Sequence, residues 1–301
     1  MRSPTLLLML ALVPALGAQE LEPRAYVASP VGASFFVMAW QQSSGAVVTD
    51  PTLPLEDVHA MVEVVAPAYG HTFNMFGSQA LFTVDLPYAW AWISGKVGAT
   101  PTDSSVTRAG IADMQAKFSV NFIGSPALSP AEFAKRPPSH WIVGASVAIS
   151  APTGEYYPYH IINIGTNRWA FKPELGVSYN RRQKLYVDLY AGVWLFTPNP
   201  AFYPGASNRT QEPLLSTQLH LSYNFTKRIY AALESTWYSG GASSVNDGPP
   251  STRQDNSRLG VLFSYGFTDR QSVKLTYNAG ATARVGQDFR TVGVMYQLLS
   301  F

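Results

Sequence analysis

From Ala112 to Phe122 the chain reads Ala-Asp-Met-Gln-Ala-Lys-Phe-Ser-Val-Asn-Phe, apolar at every even position and polar at every odd one. That period of two is the signature of a strand with two unlike faces. Trp169, Phe171, Pro173, Leu175 and Val177 alternate with Ala170, Lys172, Glu174, Gly176 and Ser178. Leu215 to Phe225 and Val273 to Ala283 repeat the pattern. These runs exceed the common strand length of roughly 5–6 residues. They reach the roughly 9–11 residues that cross a bilayer at a tilt.

Taken along the whole chain, the pattern predicts twelve strands, over 31–42, 56–73, 78–92, 108–122, 139–151, 167–180, 183–197, 211–226, 228–241, 253–267, 270–285 and 288–301. Tight junctions such as Asn74–Gly77, Asn180–Gln183, Thr226–Arg228 and Thr268–Arg270 alternate with long segments rich in Gly, Pro, Ser and Asn, at 43–55, 93–107, 152–166, 198–210 and 242–252. An even strand count, with short turns at one end and long loops at the other, is the plan of outer-membrane barrels. Segment 123–138 is long where a short turn is due, and Ser129-Pro130-Ala131-Glu132-Phe133 can open a small periplasmic helix there. Val285–Asp288 is short where a long loop is due.

Alternation alone leaves the lipid-facing side open, because a soluble barrel has the same period with its apolar side inward. Twelve strands enclose more space than Ala, Val and Leu side chains fill, and interiors avoid voids. With the apolar side outward, closure satisfies every backbone hydrogen bond in hydrocarbon. A two-sheet sandwich and a propeller share the pattern and compete with this assignment. Rings near predicted strand ends, including Phe122, Tyr179, Tyr223, Phe225, Tyr265, Phe267, Tyr88, Trp90 and Trp237, match the aromatic girdles of membrane barrels. The sequence ends in Leu299-Ser300-Phe301, and a terminal aromatic supports the same reading. The expected fold is therefore all-β: a transmembrane antiparallel up-and-down barrel of 12 strands.

Composition narrows the function classes. Charged residues are 13% of the 301, about half the share of ordinary soluble domains. The net charge of +2 lacks the basic footprint of a nucleic-acid binder. A mean hydropathy of +0.01 excludes a bundle of membrane helices. With no cysteine there is no disulfide, thiolate metal site or cysteine nucleophile. Met1-Arg2, the apolar run Leu6–Val13 and the small residues Ala15, Gly17 and Ala18 read as a secretory signal peptide, 1–18, cleaved after Gly17 or Ala18. The run is shorter than a membrane span. Residues 19–301 are then one exported barrel domain, placed in the bacterial outer membrane with lipid as its partner.

Leu21-Glu22-Pro23-Arg24-Ala25-Tyr26, Asp50–Val58, Ile162–Val177, Ala191–Thr197 and Asn256–Gly260 resemble the outer-membrane transporter-like family labelled "putative MetA-pathway of phenol degradation". The resemblance covers nearly the whole exported chain, and the block 162–177 is its most specific part. It implies a β-barrel of Gram-negative outer membranes, loosely linked to uptake of aromatic compounds. It carries no agreed substrate and no assigned functional residues.

The strand phases place an inward set: His59, Glu63, Asp85, Asp113, Gln115, Lys117, Lys172, Glu174, Asp188, His220, Glu234, Arg258, Lys274 and Arg284. Both charge signs are present, which fits a polar network closing a narrow barrel or a small wet pore with charged rings. Lys172 and Glu174 project into the same space and are expected to pair with neighbours across strands. On 183–197 one face carries Tyr186, Tyr190, Trp194 and Phe196 with Asp188, the other Leu185, Val187, Leu189, Val193 and Leu195. The ring column, Tyr190 and Trp194 above all, is either a slide for apolar small molecules or simple space filling.

Catalytic and metal signals are weak. His220, Ser222 and Asn224 share a polar face without a hydrolase spacing, and His59, His71, His140 and His160 lack metal-ligand spacing. No catalytic residue, metal or cofactor is expected. Two function classes follow: a passive channel for small organic solutes, aromatic ones among them, or a closed barrel working through its outer loops as an adhesin or structural protein. The loop 152–166, with Tyr156, Tyr157 and Tyr159, can plug the pore or meet a partner. Neither substrate nor oligomeric state is fixed by these patterns.

Overall fold

The computed structural model describes residues 23–47, 55–97, 102–251, 253–282 and 287–301. The signal segment, its cleavage point and Arg284 lie outside the described residues. The strands are β1 Ser34–Val47, β2 Leu55–Met75, β3 Ser78–Asp85, β4 Tyr88–Val97, β5 Thr102–Ile111 and β6 Gln115–Pro126. Helix α1, Pro130–Lys135, precedes β7 Trp141–Ser150, β8 Ala170–Arg181, β9 Leu185–Phe196, β10 Asn199–Phe202 and β11 Ser207–Gln211. The chain ends with β12 Leu214–Asn224, β13 Ile229–Gly240, β14 Ser243–Val245, β15 Gln254–Gly266, β16 Gln271–Thr282 and β17 Gln287–Ser300.

Every wall pairing is antiparallel, and the ring runs β1-β17-β16-β15-β13-β12-β9-β8-β7-β6-β3-β2 and back to β1. Twelve strands thus close the barrel, as the alternation predicts. Closure leaves no ladder edge in the ring, the condition for strands in hydrocarbon. No helix of the described residues is long and apolar enough to cross a membrane.

Two predicted strands are broken. The span 78–92 divides at Leu86-Pro87 into β3 and β4, because Pro87 has no N–H for the ladder. The span 108–122 divides at Ala112–Met114 into β5 and β6, and β5 begins at Thr102 inside an expected loop. The lower half of β2 pairs β3, its upper half pairs β4, and the β4–β5 hairpin rises beyond the ring. Residues 198–210 and 242–252, expected as loops, also contribute strands: β10, β11 and β14 form a separate three-stranded sheet. The predicted helix is present as α1, with Ser129 accepting from the Glu132 backbone and the Glu132 carboxylate accepting from the Ser129 N–H.

The outer face is apolar. Val187, Leu221, Leu233, Val261, Tyr277 and Val292 are directly opposite one another across six successive strands, forming a belt. Leu233 is 60% exposed and Leu175 61%; so continuous an apolar surface calls for lipid. At the short-turn end Tyr223 meets Phe225 and Tyr265 meets Phe267 edge to face, and Trp141 lies against Tyr179. These rings are the girdle expected where chain and headgroups meet.

Candidate functional site

The interior has two unlike walls. On β1, β2 and β4 the buried inward residues are apolar: Phe35, Val37 and Ala39, then Val58, Ala60, Val64 and Ala66, then Ala89, Ala91 and Ile93. From β6 round to β16 the buried inward residues are mainly polar or charged, interspersed with rings such as Tyr190, Trp194, Tyr230 and Tyr238. Ser178, Asp188, His220 and Glu234 stand side by side across β8, β9, β12 and β13, all buried. Gln115, Lys172, Glu174, Arg258 and Lys274 are buried on the same surface, with Lys117 beside them, and Asp85 at the end of β3 and Asp113 in the β5–β6 link are buried as well.

Two residues of the predicted inward set do not join this interior. Glu63 shares its face of β2 with exposed Met61 and Tyr69, and its carboxylate accepts from Gln42 of β1 at 3.0 Å. His59 is exposed on the same face. Both faces of β2 are largely apolar here, so the charges mark the outer side near its upper end rather than the interior.

Glu174 is the centre of the polar wall. Its Oε2 lies 2.6 Å from Lys172 Nζ and its Oε1 lies 3.8 Å from Lys117 Nζ. Lys172 and Glu174, expected to pair with neighbours across strands, pair most closely with each other, while Glu174 also reaches toward Lys117 of β6. On β15, Arg258 donates to Asn278 and, at 2.7 Å, to the Phe289 carbonyl. His220 Nε2 is 3.2 Å from Gln218 Oε1. Tyr190 and Trp194 of the predicted ring column are buried inward, with Trp194 stacked on Phe196.

Across the short-turn end lies a segment that the alternation did not reveal. Residues 23–33, ahead of β1, cross the inside of the barrel. The Arg24 guanidinium sits over the rings of Tyr186 and Tyr230, at 4.3 and 3.9 Å, and donates to Asn224 Oδ1 at 2.8 Å. The Arg24 N–H donates to Asp188 Oδ2 and the Ala25 N–H to the Tyr190 hydroxyl. Tyr26 crosses the centre: its hydroxyl donates to Glu174 Oε1 at 3.0 Å, and Asn121 donates to its carbonyl. Burial raises the Tyr26 phenol well above its usual range, so the hydroxyl keeps its proton and remains a donor. The Ser29 N–H reaches Gln79, and Val31 N–H reaches the Leu128 carbonyl just before α1. The signal for this stopper is indirect. Gly144 and Gly176 stand at inward positions, and a Cβ on either would come within 2.6 and 2.2 Å of the Tyr26 ring.

At the long-loop end, residues 151–169 serve the free edge of β5. Glu155 N–H donates to the Ile111 carbonyl, and Asp113 accepts from Gly154 N–H, Thr166 N–H and the Thr166 hydroxyl. This strap dips Ile162 and Ile164 onto the apolar wall at Val58, Ala91 and Ile93. Above it, Arg168 donates to Gln211 of β11 and lies over Phe196. Burial, with the Arg209 charge nearby, pulls the Arg168 pKa down to about 9.

A closed twelve-strand barrel with a lipid-facing belt and a polar, stoppered interior defines an outer-membrane β-barrel protein. Residues 39–298 match the sequence profile of the family described as "Putative MetA-pathway of phenol degradation", and the chain belongs to that family. Its fold is similar to the crystal structure of the COG4313 outer membrane channel from Pseudomonas putida F1, with 20% identity and a TM-score of 0.72 over 93% of this chain and 100% of that one. The transport unit of the autotransporter AIDA-I from Escherichia coli is similar at 10% identity and a TM-score of 0.52, over 95% and 94% of the two chains. The beta domain of the Bordetella autotransporter BrkA is similar at 11% identity and 0.52, over 89% and 99%. Comparison with the curated proteins gives no match.

Proposed function

We propose that this protein is a passive outer-membrane channel for small organic solutes, aromatic ones among them, with no catalytic centre. The interior set Asp85, Asp113, Lys117, Lys172, Glu174, Asp188, Tyr190, Trp194, His220, Glu234, Arg258 and Lys274 lines its path. The observation that carries this reading is the two-sided interior. A wall of Val, Ala and Phe beside a mainly polar wall that carries charge gives an amphipathic solute a surface for each of its parts. A merely structural barrel has no need of that division. The family description and the fold's likeness to an outer membrane channel support the same reading.

The stopper fits a conduit as well. Residues 24–31 are held mainly by hydrogen bonds and cation–π contacts, each modest in its net contribution. Such a segment can shift without dismantling the wall. The test is conductance of the purified barrel in a planar bilayer, with small aromatic and aliphatic solutes added as blockers. Discrete openings that these solutes shorten are expected. A barrel silent at all voltages, in the intact form and with residues 19–31 removed, would instead favour a surface protein acting through its long loops.

A further inference from the structure

Val58 of β2, the β4–β5 hairpin and the strap line an open-sided pocket of about 290 Å³ at the upper end of the apolar wall, apart from the polar wall. Its walls are Val58, Ile93 and Val106 on the hairpin side and Ile162 on the strap. Its polar side chains are Arg108 and His160, together with the hydroxyl-bearing Ser94, Ser104, Ser105, Tyr159 and Tyr203. Arg108 donates Nε to the Ile162 carbonyl at 3.1 Å and one terminal nitrogen to the Thr107 carbonyl at 3.3 Å. Its other terminal nitrogen makes no hydrogen bond, and no carboxylate of the described residues lies within ion-pair distance of it. The Nδ1 of His160 is buried and has no hydrogen-bond partner either.

A guanidinium held by two backbone carbonyls, with donor capacity left over and no carboxylate at ion-pair distance, can take one anion more. The buried Nδ1 of His160 lacks the partner that buried polar groups ordinarily have, and a carboxylate is the group whose geometry the partly exposed Arg108 guanidinium matches best. The aliphatic part of the lining takes the carbon skeleton, and Ser94, Ser104, Ser105, Tyr159 and Tyr203 complete it with neutral side chains, so it offers no place for a second charge. A cavity of about 150 Å³ holds benzene; one of about 290 Å³ has room for a six-membered ring with its substituent. From this we infer that the pocket is a capture site for a small apolar monocarboxylate, whose acid group is read by Arg108 and His160. Ile162 touches both the pocket and the apolar wall of the lumen, so a ligand here lies against the strap that covers that wall. The role in uptake rests on the channel reading; the binding site itself does not.

The experiment is calorimetric titration of the detergent-solubilised barrel with cyclohexanecarboxylate and with its neutral carboxamide. The carboxylate is expected to bind about tenfold more tightly, the scale of a charge-assisted hydrogen bond at a partly wet site. Arg108→Gln should bring the two ligands within about twofold of each other. Ser104→Trp, at an exposed position lining the same pocket, should block both by filling the space. Retained heat-modifiable gel mobility certifies that each variant is folded. Equal binding of acid and amide to the native barrel, or binding that survives the tryptophan, overturns the site. Openings in the bilayer without carboxylate binding would discard the pocket and keep the channel; binding without openings would do the reverse.

Discussion

The Tyr26 hydroxyl donates to Glu174 Oε1 across 148 positions of sequence, and the ring behind that hydroxyl fills the space that Gly176, two residues on from Glu174, leaves empty. One residue thus anchors the stopper, and its neighbour makes room for it. A valine at 176 would put a Cβ about where the Tyr26 ring stands, at 2.2 Å. The wall strand itself loses nothing, because a β-branched residue suits a strand. Gly176→Val should therefore unseat residues 24–31 and raise single-channel conductance several-fold while the barrel still folds. Conductance at the native level, with the variant inserted normally, would show that the stopper stays seated by other contacts.

Glu174 also neutralises Lys172 and helps to neutralise Lys117. Taking away one partner of a buried pair leaves a desolvated charge unanswered, at about 3–5 kcal/mol. Glu174→Gln should lower barrel stability by an amount of that order in urea unfolding from micelles. The double change Lys172→Met with Glu174→Leu should recover much of it, since an apolar pair removes both charges together. A single variant as stable as the native barrel would mean that the pair is already well hydrated.

Leu233 stands in the middle of the outer belt, opposite Leu221 and Val261. Arginine there costs about 2–4 kcal/mol if the position meets the bilayer midplane. Reversible folding into lipid vesicles measures this directly. A cost near zero would move the membrane boundary away from this row.

The Glu132 carboxylate in α1 is held below its ordinary 4.5 by the hydrogen bonds from Ser129. A group depressed in the folded state stabilises above its unfolded pKa, and that contribution is lost as pH falls through the folded value. Helix α1 and the Val31–Leu128 contact beside it should loosen in acid below the usual carboxylate range, and Glu132→Gln should make the region indifferent to that change. Amide exchange at Phe133 and Val31 follows both effects.

Much of this molecule was legible as pattern. Alternation from Ala170 to Tyr179 and from Leu214 to Asn224 specifies strands whose two faces meet different media, and tight turns give the pairing order. Pro87 inside a predicted strand was the warning of a break that alternation alone overrode. The phase of β2 was harder, because Val58, Ala60, Val62, Val64 and Ala66 on one side face a partly apolar row on the other. Charge at His59 and Glu63 was then the only distinguishing mark, and it points outward there. The stopper left almost no trace, since residues 23–33 have no period and their partners are scattered along the chain from Thr72 to Tyr230. Only the missing side chains at Gly144 and Gly176 record its shape.

Because residues 23–33 run straight into β1, the stopper is leashed at a fixed point on the rim. Eleven residues pulled taut reach about 36–40 Å, so a displaced stopper never diffuses away. Its return is an intramolecular event at millimolar effective concentration. Gate kinetics should then be independent of how many barrels share a membrane, and each molecule should reseal itself after every passage.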